Sequence, residues 1–499
     1  MSSISDNLEN AFRQHRVVFW YDEMGDSREQ YDEVNIPEVE KVEVKNNAFA
    51  VKYQVLRQER DKKFLLYFPY KRPENDDNWL LDIELSNFVF DTEQSALLLQ
   101  EMGLDYIYKD LVQDHIAFFG ARDRRQRFMN LFNSTDSIRI LKYKMLSVVF
   151  DTDNYDLQTL VQAYANSYFT NLQKLNDNLA NYNLKTFIWS EIRDKYRYEG
   201  EGQNIYEFVI EVFENSFPLT QKSGLTSDAR LILSSWRDSF TMRESYQKIS
   251  AEIADILNIE ELLQTAELKD IVEDELFELT DKKIIFELVH RLQGRDISHD
   301  RFQNIIKTRE SKFWFSEYKH LYRALENAYM MFELIDNARC DYDSVETAVK
   351  QYVETDYRVD YHYRKFYEHF HQSAKKNIMK SLLDNVEKAY VNKWLFDCGN
   401  AYQRLLNDKK KWHFENMMMQ RNFFKDKVSP ILERQKVVVI ISDALRYECG
   451  VELASEINSI SKFDAKLEMM IGVVPSYTQL GMAALLPHKR LSFDGKSDT

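Results

Sequence analysis

Short apolar runs alternate with polar stretches at the start of the chain. Arg16-Val17-Val18-Phe19-Trp20-Tyr21-Asp22 has strand length and closes on an acid, Val42-Glu43-Val44 is a second such run, and Lys63-Phe64-Leu65-Leu66-Tyr67-Phe68-Pro69 is a third. Unbroken apolar runs of this length fit strands buried on both faces, and the segment between the last two, residues 48–60, has helical spacing. Residues 1–92 are therefore predicted as a small α/β domain with a partly parallel sheet. Pro69 and the polar run over residues 71–78 mark a loop, after which residues 79–85 resume apolar periodicity.

From about residue 93 to 425 the pattern changes to long amphipathic stretches nearly free of Pro and Gly. In residues 157–179, 249–279 and 313–337 apolar side chains recur three and four apart, which predicts helices. No repeat of fixed period is present, so a multi-helix bundle is expected in preference to a solenoid, with the many Tyr and Phe residues as packing. Pro430 then punctuates the chain before Val437-Val438-Val439-Ile440-Ile441. Five consecutive β-branched residues fit a strand buried on both faces of a parallel sheet, which places a further domain at residues 426–499. The expected fold class is α+β and multi-domain: a small N-terminal α/β domain, a large helical middle, and the start of a second α/β domain.

Composition agrees with the helical reading, since 12 Gly and 7 Pro in 499 residues leave few turn-formers. A net charge of −15 excludes a surface built throughout to coat nucleic acid and confines any DNA contact to patches. Cys340, Cys398 and Cys449 are far apart and lack CxxC spacing, so neither a disulfide framework nor a zinc ribbon is indicated. The polar, acidic start and the absence of an 18-residue apolar window predict a cytoplasmic protein without a membrane span.

The chemistry is concentrated near the end. Ser442-Asp443-Ala444-Leu445-Arg446-Tyr447-Glu448 follows the β-branched run and leads into helical spacing over residues 445–460. Asp443 is thus expected at the carboxyl end of a central parallel strand, where α/β sheets bind ligands and a carboxylate can hold a metal. The alternative is that Asp443 caps the following helix. Residues 467–474 form a second strand-like run, followed by Pro475-Ser476-Tyr477-Thr478 and a stretch rich in small residues. A hydroxyl in such a strand-to-helix turn lies where backbone N–H groups and the helix dipole receive a phosphate, or else Ser476 or Thr478 serves as an N-cap.

Strand-Asp, helix, strand and Pro-x-x-Thr at a helix start together resemble the alkaline-phosphatase superfamily. The wording SDALRYE with VPSYTQLGMAALLP resembles its PglZ branch, which belongs to bacterial phage-exclusion systems of the BREX type. The motif resemblance runs from about Val437 to Pro487, and the rest of the chain agrees in layout. It implies a phosphodiesterase or phosphatase acting in phage defence, with other BREX proteins as partners. It further implies that Asp443 is the first metal-ligand Asp and that Thr478 is the nucleophile, which contacts a metal and takes the phosphoryl group. The cofactor so implied is a pair of divalent cations, zinc, held by Asp oxygens and His nitrogens. The family's other ligands lie downstream of the nucleophile, and no residue after Thr478 matches them. The chain is therefore expected to be an N-terminal fragment that holds zinc weakly and does not turn over substrate. The competing function is a non-catalytic helical scaffold that binds partner proteins.

Three other constellations are weaker. His362, Glu368, His369 and His371 lack the i, i+4 histidine pair of a helical zinc site, and an aromatic and His helix face is expected instead. Arg122, Arg124, Arg125 and Arg127 beside Phe118, Phe119 and Phe128 read as a solvated face with some capacity for phosphate contact. Met417, Met418 and Met419 read as packing. No GxxxxGK[ST] or GxGxxG occurs, so no nucleotide-cofactor site is expected.

Overall fold

The computed structural model describes residues 4–90, 94–220, 224–407 and 409–492. It divides into two compact units, Met1–Ser216 with Thr220–Ile249, and Phe217–Leu219 with Ser250–Thr499. The boundary expected at residues 92 and 93 lies outside the described residues, as does the segment after residue 492.

The first unit opens on a four-stranded, wholly parallel sheet: β1 (Val17–Tyr21), β2 (Val39–Glu43), β3 (Lys63–Phe68) and β4 (Phe88–Phe90), in the order β2-β3-β1-β4. Alternation along the strands sends side chains to opposite faces. Val18, Trp20, Leu65, Tyr67 and Phe90 pack with Phe12, Tyr31 and Val34 on one side. Val17, Phe19, Phe64, Leu66 and Phe68 pack with Val51, Val55, Leu80 and Ile83 on the other. Covering both faces is what makes β1 and β3 read as continuous apolar runs. β2 starts three residues before the apolar run at Val42, because its register is set by pairing Val39 with Lys63 on β3. β4, only three residues long, has no sequence alternation to announce it and exists through its bonds to β1.

Beyond the sheet the chain is mostly helical, as its periodicity implies. Residues 313–337 contain one long helix, Phe315–Asn337, which packs along Tyr357–Gln372. Residues 157–179 instead give two helices, Leu157–Asn166 and Leu172–Asn181. The stretch 249–279 breaks where Asn258 takes a left-handed conformation (φ 50°), ending one helix and starting Ile259–Gln264.

The C-terminal segment departs from expectation. Residues 437–441 form no strand and pair with none among the described residues, and Val438 and Ile440 are 84% and 89% exposed. A doubly buried parallel strand needs a neighbour on each edge and a layer on each face, and the described residues supply neither. The second run, residues 467–474, pairs elsewhere. Ile471 forms a parallel bridge to Met419, with Gln420 N donating to Ile471 O and Ile471 N to Met418 O, both at 2.8 Å. Met419 and Ile471 are buried with Val345 and Phe414, so the methionine run does contribute packing.

Candidate functional site

Asp443 lies in a turn after the irregular residues 437–441, and Ala444 beside it takes a left-handed φ of 58°. The helix that follows is Tyr447–Ser459 with Arg446 at its N-cap position, so Asp443 is not its cap. Thr478 is the first residue of the helix Thr478–Leu485, whose N-cap position is Tyr477 with no side-chain capping bond. Neither capping alternative is realised. The two side chains meet each other: Thr478 Oγ1 donates to Asp443 Oδ2 at 3.1 Å, across 35 residues of sequence. Both are exposed, on a cavity of about 700 Å³ that Ser442, Ala444, Met470, Ser476 and Met482 also line.

Each half of this meeting is fixed from behind. Gln420 clamps the threonine side, accepting from Val473 N at 3.0 Å and donating to Gly481 O at 3.3 Å, while Trp412 Nε1 donates to Gly472 O at 2.7 Å. A Cβ on Gly481 would stand 3.4 Å from Gln420 Nε2, a tight approach that glycine leaves free. On the aspartate side, Arg446 pairs with Asp360 and with Glu448, each at 3.0 Å, and donates to Tyr390 Oη at 3.2 Å. Burial acts to lower the Arg446 guanidinium, but Tyr390 and the charges of Asp360 and Glu448 outweigh it and raise it. Glu448 is fully buried, and Arg364 and Lys365 reach Glu452 one turn further on, both at 2.6 Å. The helix Tyr447–Ser459, which follows directly on Asp443 and its turn, is thereby ion-paired to Tyr357–Gln372. Sequence reasoning missed Gln420, Arg446, Glu448 and Asp360. Arg446 and Glu448 stand inside the SDALRYE motif and pair with each other, but their further partners Asp360 and Arg364 lie far upstream on Tyr357–Gln372 and leave no local signal.

Asp443 and Thr478 offer two hard oxygens, a donor type that divalent cations accept. A zinc site takes at least three protein ligands, and among the described residues no group of three or more His, Cys, Asp or Glu is arranged to hold a metal. The residues present fit one edge of a metal site and do not close it.

The remaining constellations resolve into structure. His362 Nδ1 faces Asn327 Oδ1 at 2.9 Å, His369 Nδ1 faces His320 at 3.3 Å, Glu368 pairs with Lys365 at 2.9 Å, and His371 lies against Tyr367 and Phe370. Burial pushes His362 down to about 4 and lowers His369. Arg124 donates to the carbonyls of Phe118 and Ala117, Arg125 to that of Phe119 while pairing with Glu101, and Arg127 pairs with Asp151. Arg124 and Arg125 thus bind the carbonyls around the buried Phe118 and Phe119, and Arg127 ties its helix to Asp151.

Comparison with known proteins gives a consistent picture. Residues 423–499 match the family described as the BREX system PglZ alkaline phosphatase-like domain. The chain is 29% identical to the alkaline phosphatase-like protein BrxZ of Escherichia coli O9:H4 (strain HS), over 97% of its own length and 60% of the relative's. It is 26% identical to the alkaline phosphatase-like protein PglZ of Bacillus cereus (strain H3081.97), over 97% of its own length and 59% of the relative's. The chain thus spans about three-fifths of the length of the curated relatives it matches. No solved structure matches it. Among the described residues no helix is long and apolar enough to cross a membrane. Residues 423–499 thus resemble the alkaline phosphatase-like domain of BREX PglZ proteins, and the chain is similar to BrxZ and PglZ proteins over nearly the whole of its own length.

Proposed function

We propose that this chain contributes the nucleophile, Thr478, and one metal ligand, Asp443, to a metal-dependent phosphoric ester hydrolase working in phage defence beside other BREX proteins. The observation that carries the reading is the 3.1 Å contact of Thr478 Oγ1 with Asp443 Oδ2 on an open cavity, since it unites the two motif residues that the resemblance singles out. Asp443 accepts the hydroxyl proton in its hydrogen bond and so turns an oxygen lone pair of Thr478 toward the cavity. The first backbone N–H groups of Thr478–Leu485 carry the positive end of the helix dipole beside that oxygen, which favours an incoming phosphate. A divalent cation, when bound, would lower the hydroxyl's pKa and offset the phosphate charge.

With two donor oxygens brought together among the described residues, residues 1–499 alone hold zinc weakly and do not turn over a phosphodiester, and in this form they act by binding partners. The exposure of residues 437–441 supports the same reading, because the sheet that would carry Asp443 is incomplete among the described residues. The experiment is zinc content and chromogenic phosphodiester hydrolysis, measured on residues 1–499, on a chain as long as the relatives, and on that longer chain with Asp443→Ala. Metal and turnover are expected only in the unmutated longer chain. Full metal content and activity in Asp443→Ala, or robust zinc-dependent turnover by residues 1–499, would overturn the assignment.

A further inference from the structure

We propose that Cys340 and Cys398 are a dithiol site which a peroxide converts to a reversible intramolecular disulfide, a modification independent of Asp443 and Thr478. The two sulfurs lie 2.7 Å apart although 58 residues separate them in sequence. Cys340 stands in the irregular segment between the helices Phe315–Asn337 and Val345–Gln351, and Cys398 in the first turn of Phe396–Asn407, which packs on Val345–Gln351. A disulfide requires about 2.05 Å between sulfurs, so the pair needs a shift of less than about 1 Å to bond. Both residues are half-buried. The Tyr342 hydroxyl faces Cys398 Sγ at 3.6 Å on the same side. Burial and then the contact with Cys340 push the Cys398 thiol up, which slows its own attack on a peroxide, so it is the closeness of the two sulfurs that favours the bond. Cys449 is set apart on Tyr447–Ser459, beside Glu448. In a reducing compartment a pair of this kind forms a bond transiently, in response to oxidant.

The chemistry balances with a peroxide alone. One sulfur attacks the peroxide, an S–O bond forms as the O–O bond breaks, and an alcohol or water leaves. The second sulfur then attacks the sulfenic sulfur, the S–S bond forms, and the S–O oxygen departs as water with the remaining thiol proton. Two thiols have lost two electrons and two protons, and the peroxide has been reduced. A thiol reductant reverses the result by exchange.

The test is a thiol count on the full chain. Protein reduced with a phosphine is treated with hydrogen peroxide, denatured, alkylated with N-ethylmaleimide and weighed intact, then mapped as non-reduced peptides. Untreated protein should take up three adducts, one for each cysteine. After peroxide one adduct should remain, on Cys449, beside a cross-linked peptide joining Cys340 to Cys398, and dithiothreitol should restore three. In Cys340→Ser, peroxide should give no intramolecular cross-link. Three adducts surviving peroxide, a link to Cys449 or between chains, or irreversible oxidation of Cys398 without a cross-link would each overturn the proposal.

Discussion

At the scale of single residues, the contact between Thr478 and Asp443 should contribute little to stability. It joins two exposed side chains, so deleting the hydroxyl should cost about 1 kcal/mol or less in folding. Catalysis should respond differently. In a chain as long as the relatives, the proposed function predicts that Thr478→Ala should reduce phosphodiester hydrolysis by on the order of 10³-fold or more while retaining most of the bound metal. Thr478→Ser, which keeps an oxygen at the same position, should recover activity to within about tenfold. Steady-state rates and metal content measured on the same preparations decide the matter. An alanine variant that turns over like wild type would remove Thr478 from the mechanism. Both residues were legible in the sequence because each follows an apolar run and precedes a helical one. Their direct bond was not, since neither neighbourhood specifies which of the available partners a hydroxyl will find.

At the scale of elements, the helix Tyr447–Ser459 is held through its N-terminal charges. Arg446 is about half exposed, but the carboxylates it serves are not: Asp360 and Glu448 are 5% and 0% exposed. Arg446→Ala should therefore destabilise the second unit by about 1–3 kcal/mol, less than a fully buried pair would because solvent screens the guanidinium. Urea denaturation should show a lower midpoint, and limited proteolysis should open the chain near residue 446. Lys427→Ala, which breaks an exposed pair with Glu468, serves as the control and should be nearly neutral. Equal stability of the two variants would mean that the Arg446 pairs do not hold the helix. The elements also show where periodicity fails. Residues 437–441 have the composition of a central strand and remain unpaired among the described residues, because composition states a preference for burial and cannot provide the neighbour that satisfies it.

At the scale of the whole molecule, one buried and two half-buried histidines should set a pH dependence. Burial lowers His115, His362 and His369, and His362 falls to about 4 from an ordinary value of 6.5. A depressed folded value means that the unfolded chain takes up a proton first, so stability present above pH 6.5 is lost as pH falls toward 4. Between pH 7.5 and 5 His362 alone should cost up to about 2 kcal/mol. Asp274, pushed up to about 6 by burial, works in the opposite direction as pH drops through 6. Glu278 is pushed up by burial, but Lys375 and Tyr318 outweigh this and hold it below 4.5, so its contribution is lost only in more acidic solution. The comparison that isolates the histidine is wild type against His362→Gln, with thermal or urea unfolding at both pH values. The variant should lose less stability on acidification, and parallel losses would exclude His362 as a source of the dependence.

The sequence by itself determined the parts of this protein that depend on local periodicity: the strands β1 and β3, the helical block, and the two short motifs that resemble PglZ proteins. A face buried along a strand or helix must be apolar at that element's own repeat, and this is written locally. Tertiary structure decided the rest: the sheet order with its short β4, the pairing of Ile471 with Met419, the tie of Arg446 to Asp360, and the meetings of Thr478 with Asp443 and of Cys340 with Cys398. Each of these joins residues far apart in the chain. Their proximity is fixed by how whole elements pack, because the packing that buries many apolar side chains at once outweighs the preference of any single polar pair.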